Sequence, residues 1–120
     1  MSTNMHVKEA AKNLARAEDD KKREASEKRA HLKRRESEVR NEIQSQELEI
    51  NKLEAEIVLL DRSVSGYAKS LNEIKNCKQK INELDSKLEN EKAETEREIS
   101  ELEDEAQEFK QEANHLSTMA

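Results

Sequence analysis

The stretch IQSQELEINKLEAEIVLLDRSVSGY, residues 43–67, decides the fold of this chain. Ile43, Ile50 and Ile57 stand seven residues apart, with Leu53 and Leu60 falling three residues after the last two. Alternating steps of three and four place all of them on one face of an α-helix. With heptad position a set at Ile43, the pattern runs on to the C-terminus without an insertion. The a positions read Ile43, Ile50, Ile57, Val64, Leu71, Lys78, Asp85, Lys92, Ile99, Ala106 and Ala113. The d positions read Gln46, Leu53, Leu60, Tyr67, Ile74, Ile81, Leu88, Thr95, Leu102, Phe109 and Leu116. Seventeen of these 22 are apolar, and a 3.5-residue repeat kept this long produces a left-handed coiled coil. Upstream the phase thins out through Val39, Leu32, Ala25, Ala15 and Ala11.

Composition supports the same conclusion. Charged residues make up 42% of the 120-residue chain and aromatic residues 2%, too few bulky apolar side chains for a compact globular core. The chain has no Pro and one Gly, whereas disordered segments are rich in helix breakers. The reading is an all-α fold: a long coiled coil, expected to be antiparallel and self-paired. Its organisation is an N-terminal cap over residues 1–10, a basic and weakly heptad helix over 11–38, and the main coiled coil over 39–120. Ser63, Val64 and Ser65 are poor helix formers beside Gly66, so any bend or turn belongs at 63–66, with Ser65 and Gly66 as its centre. The heptads reach the last residues, as in a piece of a longer coiled coil.

The expected interface is Val39, Ile43, Ile50, Leu53, Ile57, Leu60, Val64, Tyr67, Leu71, Ile74, Ile81, Leu88, Ile99, Leu102, Ala106, Phe109 and Leu116. Between Ile74 and Leu88 a second stripe, Ile74, Cys77, Ile81, Leu84 and Leu88, uses g positions in place of a. A local rotation of the helix would then carry Lys78 and Asp85 into water; alternatively, long stems snorkel over an ordinary core. Leu48, Val58 and Leu59 lie off the seam and form a candidate lateral docking site.

Charge chooses the direction of pairing. Residues 21–40 carry nine basic and four acidic side chains, and residues 83–112 carry thirteen acidic and four basic ones. In a parallel in-register dimer, seven flanking pairs repel, among them Lys28–Lys33, Glu42–Glu47 and Glu98–Glu103, and only Glu105–Lys110 attracts. Running a second helix antiparallel, so that residue i faces 131 − i, gives Lys21–Glu112, Lys28–Glu105, Arg35–Glu98, Lys33–Glu96 and Arg40–Glu89 among seven attractive pairs, against one repulsive pair. Two arrangements satisfy this: an antiparallel homodimer of continuous helices, or one chain folded back as a hairpin near residues 63–67. The unbroken phase from Ile57 to Leu71 favours the continuous helix. A parallel heterodimer with a partner of complementary charge is the third arrangement.

No arrangement of residues suggests catalysis. His6, His31 and His115 share no metal-ligand spacing, Cys77 fits the seam, and no Gly-rich phosphate loop or nucleophile–base pair is present. The expectation is therefore no enzyme, no cofactor and no metal. The basic run Lys21-Lys22-Arg23, Lys28-Arg29 and Lys33-Arg34-Arg35 invites comparison with DNA-gripping basic helices. However, Glu18, Asp19, Asp20, Glu24 and Glu27 interrupt it and would repel phosphate. A single cysteine fits a reducing compartment, and no stretch is apolar enough for a membrane span or signal peptide; the expected location is cytoplasmic or nuclear. The pattern resembles long rod proteins in general, such as cytoskeletal, kinetochore or tethering coiled coils, and no motif narrows it to one family. The expected role is a structural spacer or scaffold for protein partners bound at its ends. The alternatives are a subunit of a parallel heterodimer within a larger complex, or a nucleic-acid-binding helix acting through residues 21–40.

Overall fold

A computed structural model describes residues 2–119. It contains two helices, α1 (Ser2–Val58) and α2 (Ser65–Met119), folded back on each other as an antiparallel hairpin. Ala, Leu, Glu, Lys, Arg and Gln dominate both segments, and these residues lose least on entering a helix. Of the two self-paired arrangements, the structure has the hairpin. Helix α1 is continuous from Ser2, so the described part of the 1–10 cap is already helical.

The reversal occupies residues 59–64, earlier than the position suggested by Gly66. Hydrogen bonds from Leu59 N to Glu56 O (3.1 Å) and from Leu60 N to Ile57 O (3.0 Å) tighten the last turn of α1. These three-residue bonds satisfy carbonyls that the helix end would otherwise leave open. Asp61 then organises the turn. Its Oδ1 accepts a bond from Ser63 N and another from Ser63 Oγ, both at 3.0 Å. Its own carbonyl accepts from Val64 N at 3.0 Å, closing a four-residue turn with Asp at the first position, where Asp is favoured. The backbone bond from Ser63, and then the one from its hydroxyl, hold the Asp61 carboxyl below its ordinary pKa. Tyr67 N bonded to Val64 O (3.0 Å) opens α2.

Ser65 and Gly66, expected in the turn, are thus the first two residues of α2. Gly66 has no positive φ, and a Cβ built on it would meet only Leu60 Cδ1 and Val64 Cγ1, each at 3.9 Å. Its glycine character is not what reverses the chain. The side chain of Asp61 competes with the helix for backbone donors, and sequence periodicity carries no trace of that competition.

By contacts the hairpin divides into two units. One is formed by the chain up to Leu32 and from Ala93 onward, the other by Lys33–Lys92, which includes the turn. In the turn unit, Ile50, Leu53 and Ile74 are buried together, with Ile57, Cys77 and Ile81 packed against them. In the other, Ala25, Ile99 and Leu102 form the buried cluster. Each core is a single layer of side chains, as expected where two helices meet without a third.

A candidate interaction surface along the seam and turn

The seam is built by those residues that each helix turns toward the other. On α1, Ala25, Val39, Ile50 and Leu53 are buried, and Leu32, Ile43 and Ile57 are half-buried, as is Leu60 in the turn. On α2, Ile74, Ile99, Leu102 and Ala106 are buried, while Tyr67, Ile81, Leu88, Phe109 and Leu116 are half-buried. Val64 and Leu71 depart from the expected interface: they are 45% and 46% exposed. The reason lies in the turn. Helix α2 restarts after a six-residue break and leaves it rotated, so that Ser70, at position g, is buried where Leu71 was expected. From there the stripe continues through Ile74, Cys77, Ile81, Leu84 and Leu88, all buried or half-buried, with Lys78 and Asp85 exposed. The rotation read at 74–88 is therefore present, and it begins one heptad sooner.

The same exchange of g for a occurs in the first half of α1. Lys21 and Lys28 are half-buried, whereas Lys22 and Arg29 are exposed; one heptad on, Arg35 and Glu36 are both half-buried. Lys21, Lys28 and Arg35 flank the seam and meet acids of α2. In the unit containing the chain ends, Lys21 Nζ lies 2.9 Å from Glu105 Oε2 and Lys28 Nζ lies 2.9 Å from Glu98 Oε2. Arg29 also pairs with Glu103 there. In the turn unit, Arg35 Nε lies 3.0 Å from Glu91 Oε2, and Lys92 Nζ lies 3.9 Å from Glu36 Oε1. The Lys28–Glu98 bond raises the lysine pKa and lowers that of the carboxyl. Hydrogen bonding to Glu105 raises Lys21 likewise, and bonding to Glu91 raises Arg35.

These pairs set the register. Positions 21, 28 and 35 face 105, 98 and 91, one heptad away from the expected partners 112, 105 and 98. The displacement follows from the turn. Moving the point of reversal from residues 65–66 to about residue 62 slides α2 by seven residues along α1. Antiparallel direction survives that slide because charge is segregated in long blocks: each cation finds another acid one heptad away.

The three apolar residues read from the sequence as lying off the seam stand in water. Val58 is 82% exposed, Leu59 87% and Leu48 64%. Val58 and Leu59 are consecutive, ending α1 and beginning the turn. On a chain with this much charge, an adjacent apolar pair at a turn differs from the scattered apolar exposure of ordinary surfaces.

In the unit that contains the chain ends, small side chains leave a shallow groove of about 490 Å³ lined by Val7, Ala11, Ala15, Lys110 and Ala113 among others. His6, His31 and His115 are exposed. Among the described residues, no three His, Cys, Asp or Glu side chains gather as metal ligands, and neither helix is long and apolar enough to cross a membrane. Sequence reasoning placed Lys21 and Lys28 beside the seam with acids one heptad away from their partners here, and it missed the burial of Ser70. The signal for it was the g-position stripe, visible at Cys77 and Leu84 but not followed outward to the turn. Comparison with protein-family models, with curated proteins and with solved structures gives no match in any of the three.

Proposed function

We propose that this chain is a structural scaffold: an antiparallel coiled-coil hairpin that holds protein partners, with one partner seated on the apolar pair Val58 and Leu59 at its turn. The observation that carries this reading is the exposure of those two side chains, 82% and 87%. Burying two such side chains against a partner would contribute roughly 3–6 kcal/mol before association costs. Leu48, also on α1, extends the surface away from the turn. A cytoskeletal or tethering assembly in the cytoplasm or nucleus is the setting such a module suits.

The two alternatives fit the side-chain arrangement less well. A parallel heterodimer would have to displace α2 from the seam that α1 shares with it. A nucleic acid would compete for Lys21, Lys28 and Arg35 with carboxylates already within 3.0 Å, and phosphate binding needs free cations.

The test compares the full chain with a Val58→Ser, Leu59→Ser double variant. Proteins captured from cells by each are quantified beside the melting curve of each. The proposal expects unchanged helix content and melting, with loss of a defined partner set that Met5→Ser, at an exposed apolar residue near the start of α1, retains. An unchanged partner set in the double variant would overturn it, and binding to duplex nucleic acid at low salt would favour the basic-helix alternative.

A further inference from the structure

The hairpin leaves an unused piece of seam. Val64 and Leu71 occupy a positions in unbroken heptad phase with Ile57, Leu60, Tyr67 and Ile74, yet they are nearly half exposed. A hairpin has no need of that phase, because the residues on its two sides belong to different helices. A helix running straight through residues 59–64 does need it. Nothing in the turn forbids such a helix: the segment has no Pro, Gly66 already lies in α2 without a positive φ, and the reversal rests on the side chain of Asp61 and its bonds to Ser63.

We propose that the turn opens and that two copies of the chain exchange their second halves, forming an antiparallel dimer of continuous helices. The hairpin contacts from Ile74 onward are then remade between chains in the same register. Ile50 still meets Ile74, Ala25 still meets Ile99, and Lys28 still meets Glu98, now across the dimer. The exchange adds what the hairpin lacks. Around the two-fold axis near residue 62, Val64 of one chain faces Leu60 of the other, and Leu71 faces Leu53. Beyond Leu71 the seam passes to Ile74 and Cys77 by one short step, which locally overwinds the supercoil and leaves Lys78 and Asp85 in water. Exchange of an identical element is a low-cost route to dimers because the contacts already exist. The second copy is thus the occupant that covers Val64 and Leu71. Val58 and Leu59 fall at outward b and c positions in both forms, so this dimer does not depend on the partner surface proposed above, and either can fail without the other.

Two changes at the turn push the equilibrium in opposite directions. Arg62 stands second in the turn closed by Val64 N and Asp61 O, the position where Pro is favoured, whereas Pro inside a continuous helix breaks it. Arg62→Pro therefore keeps the hairpin and removes the dimer. Asp61→Ala with Ser63→Ala removes the side-chain bonds of the turn and leaves the continuous helix intact, so dimer affinity should rise roughly ten- to thirtyfold, both chains being relieved. Sedimentation equilibrium over a range of concentrations reads the mass of wild type and both variants, with circular dichroism confirming that each is helical. In a mixture of isotope-labelled and unlabelled wild-type chains, carbodiimide coupling of Lys28 to Glu98 should also join labelled to unlabelled chains. The proposal expects monomer and dimer for wild type, monomer alone for Arg62→Pro, and more dimer for the Asp61/Ser63 variant. It is overturned if wild type and the Asp61/Ser63 variant both remain monomeric at every concentration, or if Arg62→Pro dimerises as fully as wild type.

Discussion

Replacing Leu53 by Ala removes a buried side chain from the one-layer core of the turn unit, where it packs with Ile50 and Ile74. Leu53 is 4% exposed, so nearly all of the lost surface had been shielded from water. The change deletes three carbon atoms, worth about 2.4 kcal/mol at about 0.8 kcal/mol per buried methylene. A cavity left in a close-packed core adds to such a loss, carrying Leu→Ala changes to about 2–5 kcal/mol. Here the surroundings are two helices with water on either side, free to settle toward each other, which keeps the cavity contribution small. The expected cost is about 2–3 kcal/mol, a large part of a stability of about 5–15 kcal/mol. Urea denaturation followed by circular dichroism measures it, with Leu48→Ala as the control. Leu48 lies on the same helix but is mostly exposed, so its loss should cost about 0.5 kcal/mol or less. If Leu53→Ala and Leu48→Ala destabilise equally, the burial that defines the seam is wrong.

Three other perturbations have expected outcomes. Gly66→Ala should stabilise the hairpin by about 1 kcal/mol, because the position is helical and the added Cβ meets nothing closer than 3.9 Å; a loss on thermal melting would mean that Gly66 is needed for the turn after all. Lys28→Glu should lower the melting temperature and adding Glu98→Lys should restore it, whereas equal melting of the single and double variants would show that the two residues do not meet. The hydrogen bond from Lys28 holds the Glu98 carboxyl below its ordinary value in the folded chain. Its contribution to stability is therefore present above that value and is lost as pH falls through the lowered folded pKa. Acid titration of stability should show wild type losing more than Glu98→Gln across that window, and identical pH profiles would contradict the pairing.

The helix-forming segments and the seam up to the turn were legible because a 3.5-residue period is a local property, repeated at Ile43, Ile50, Leu53, Ile57 and Leu60. Direction was legible because like charges are clustered: basic residues 21–40 attract acids 83–112 at more than one register. Register itself was not, and for the same reason. Block charges attract over several heptads, so the choice among neighbouring registers passes to the turn. The turn is set by Asp61 and Ser63, polar residues within an unbroken apolar phase, and hydrogen bonds leave no mark on hydrophobic periodicity. Gly66 drew the expected turn toward itself because glycine is the usual punctuation, but a glycine with ordinary helical φ is equally at home at the start of α2. The exposure of Val64 and Leu71 follows from the restart after the break. The exposure of Val58 and Leu59 was readable from their b and c positions alone.

Register and fold-back together are the centre of this account, and zero-length crosslinking of the unmodified chain tests both. Carbodiimide joins a lysine to a carboxylate only when the two are in direct contact, as Lys28 and Glu98 are at 2.9 Å and Lys21 and Glu105 are at 2.9 Å. Coupling in dilute solution, followed by mass spectrometry of the band that retains monomer mass, should return Lys28–Glu98 and Lys21–Glu105 within one chain. Recovery of Lys28–Glu105 and Lys21–Glu112 in their place would put α2 one heptad away along α1, where a turn centred on Gly66 would have put it. Recovery only of short-range links such as Glu18–Lys22 would contradict the hairpin itself.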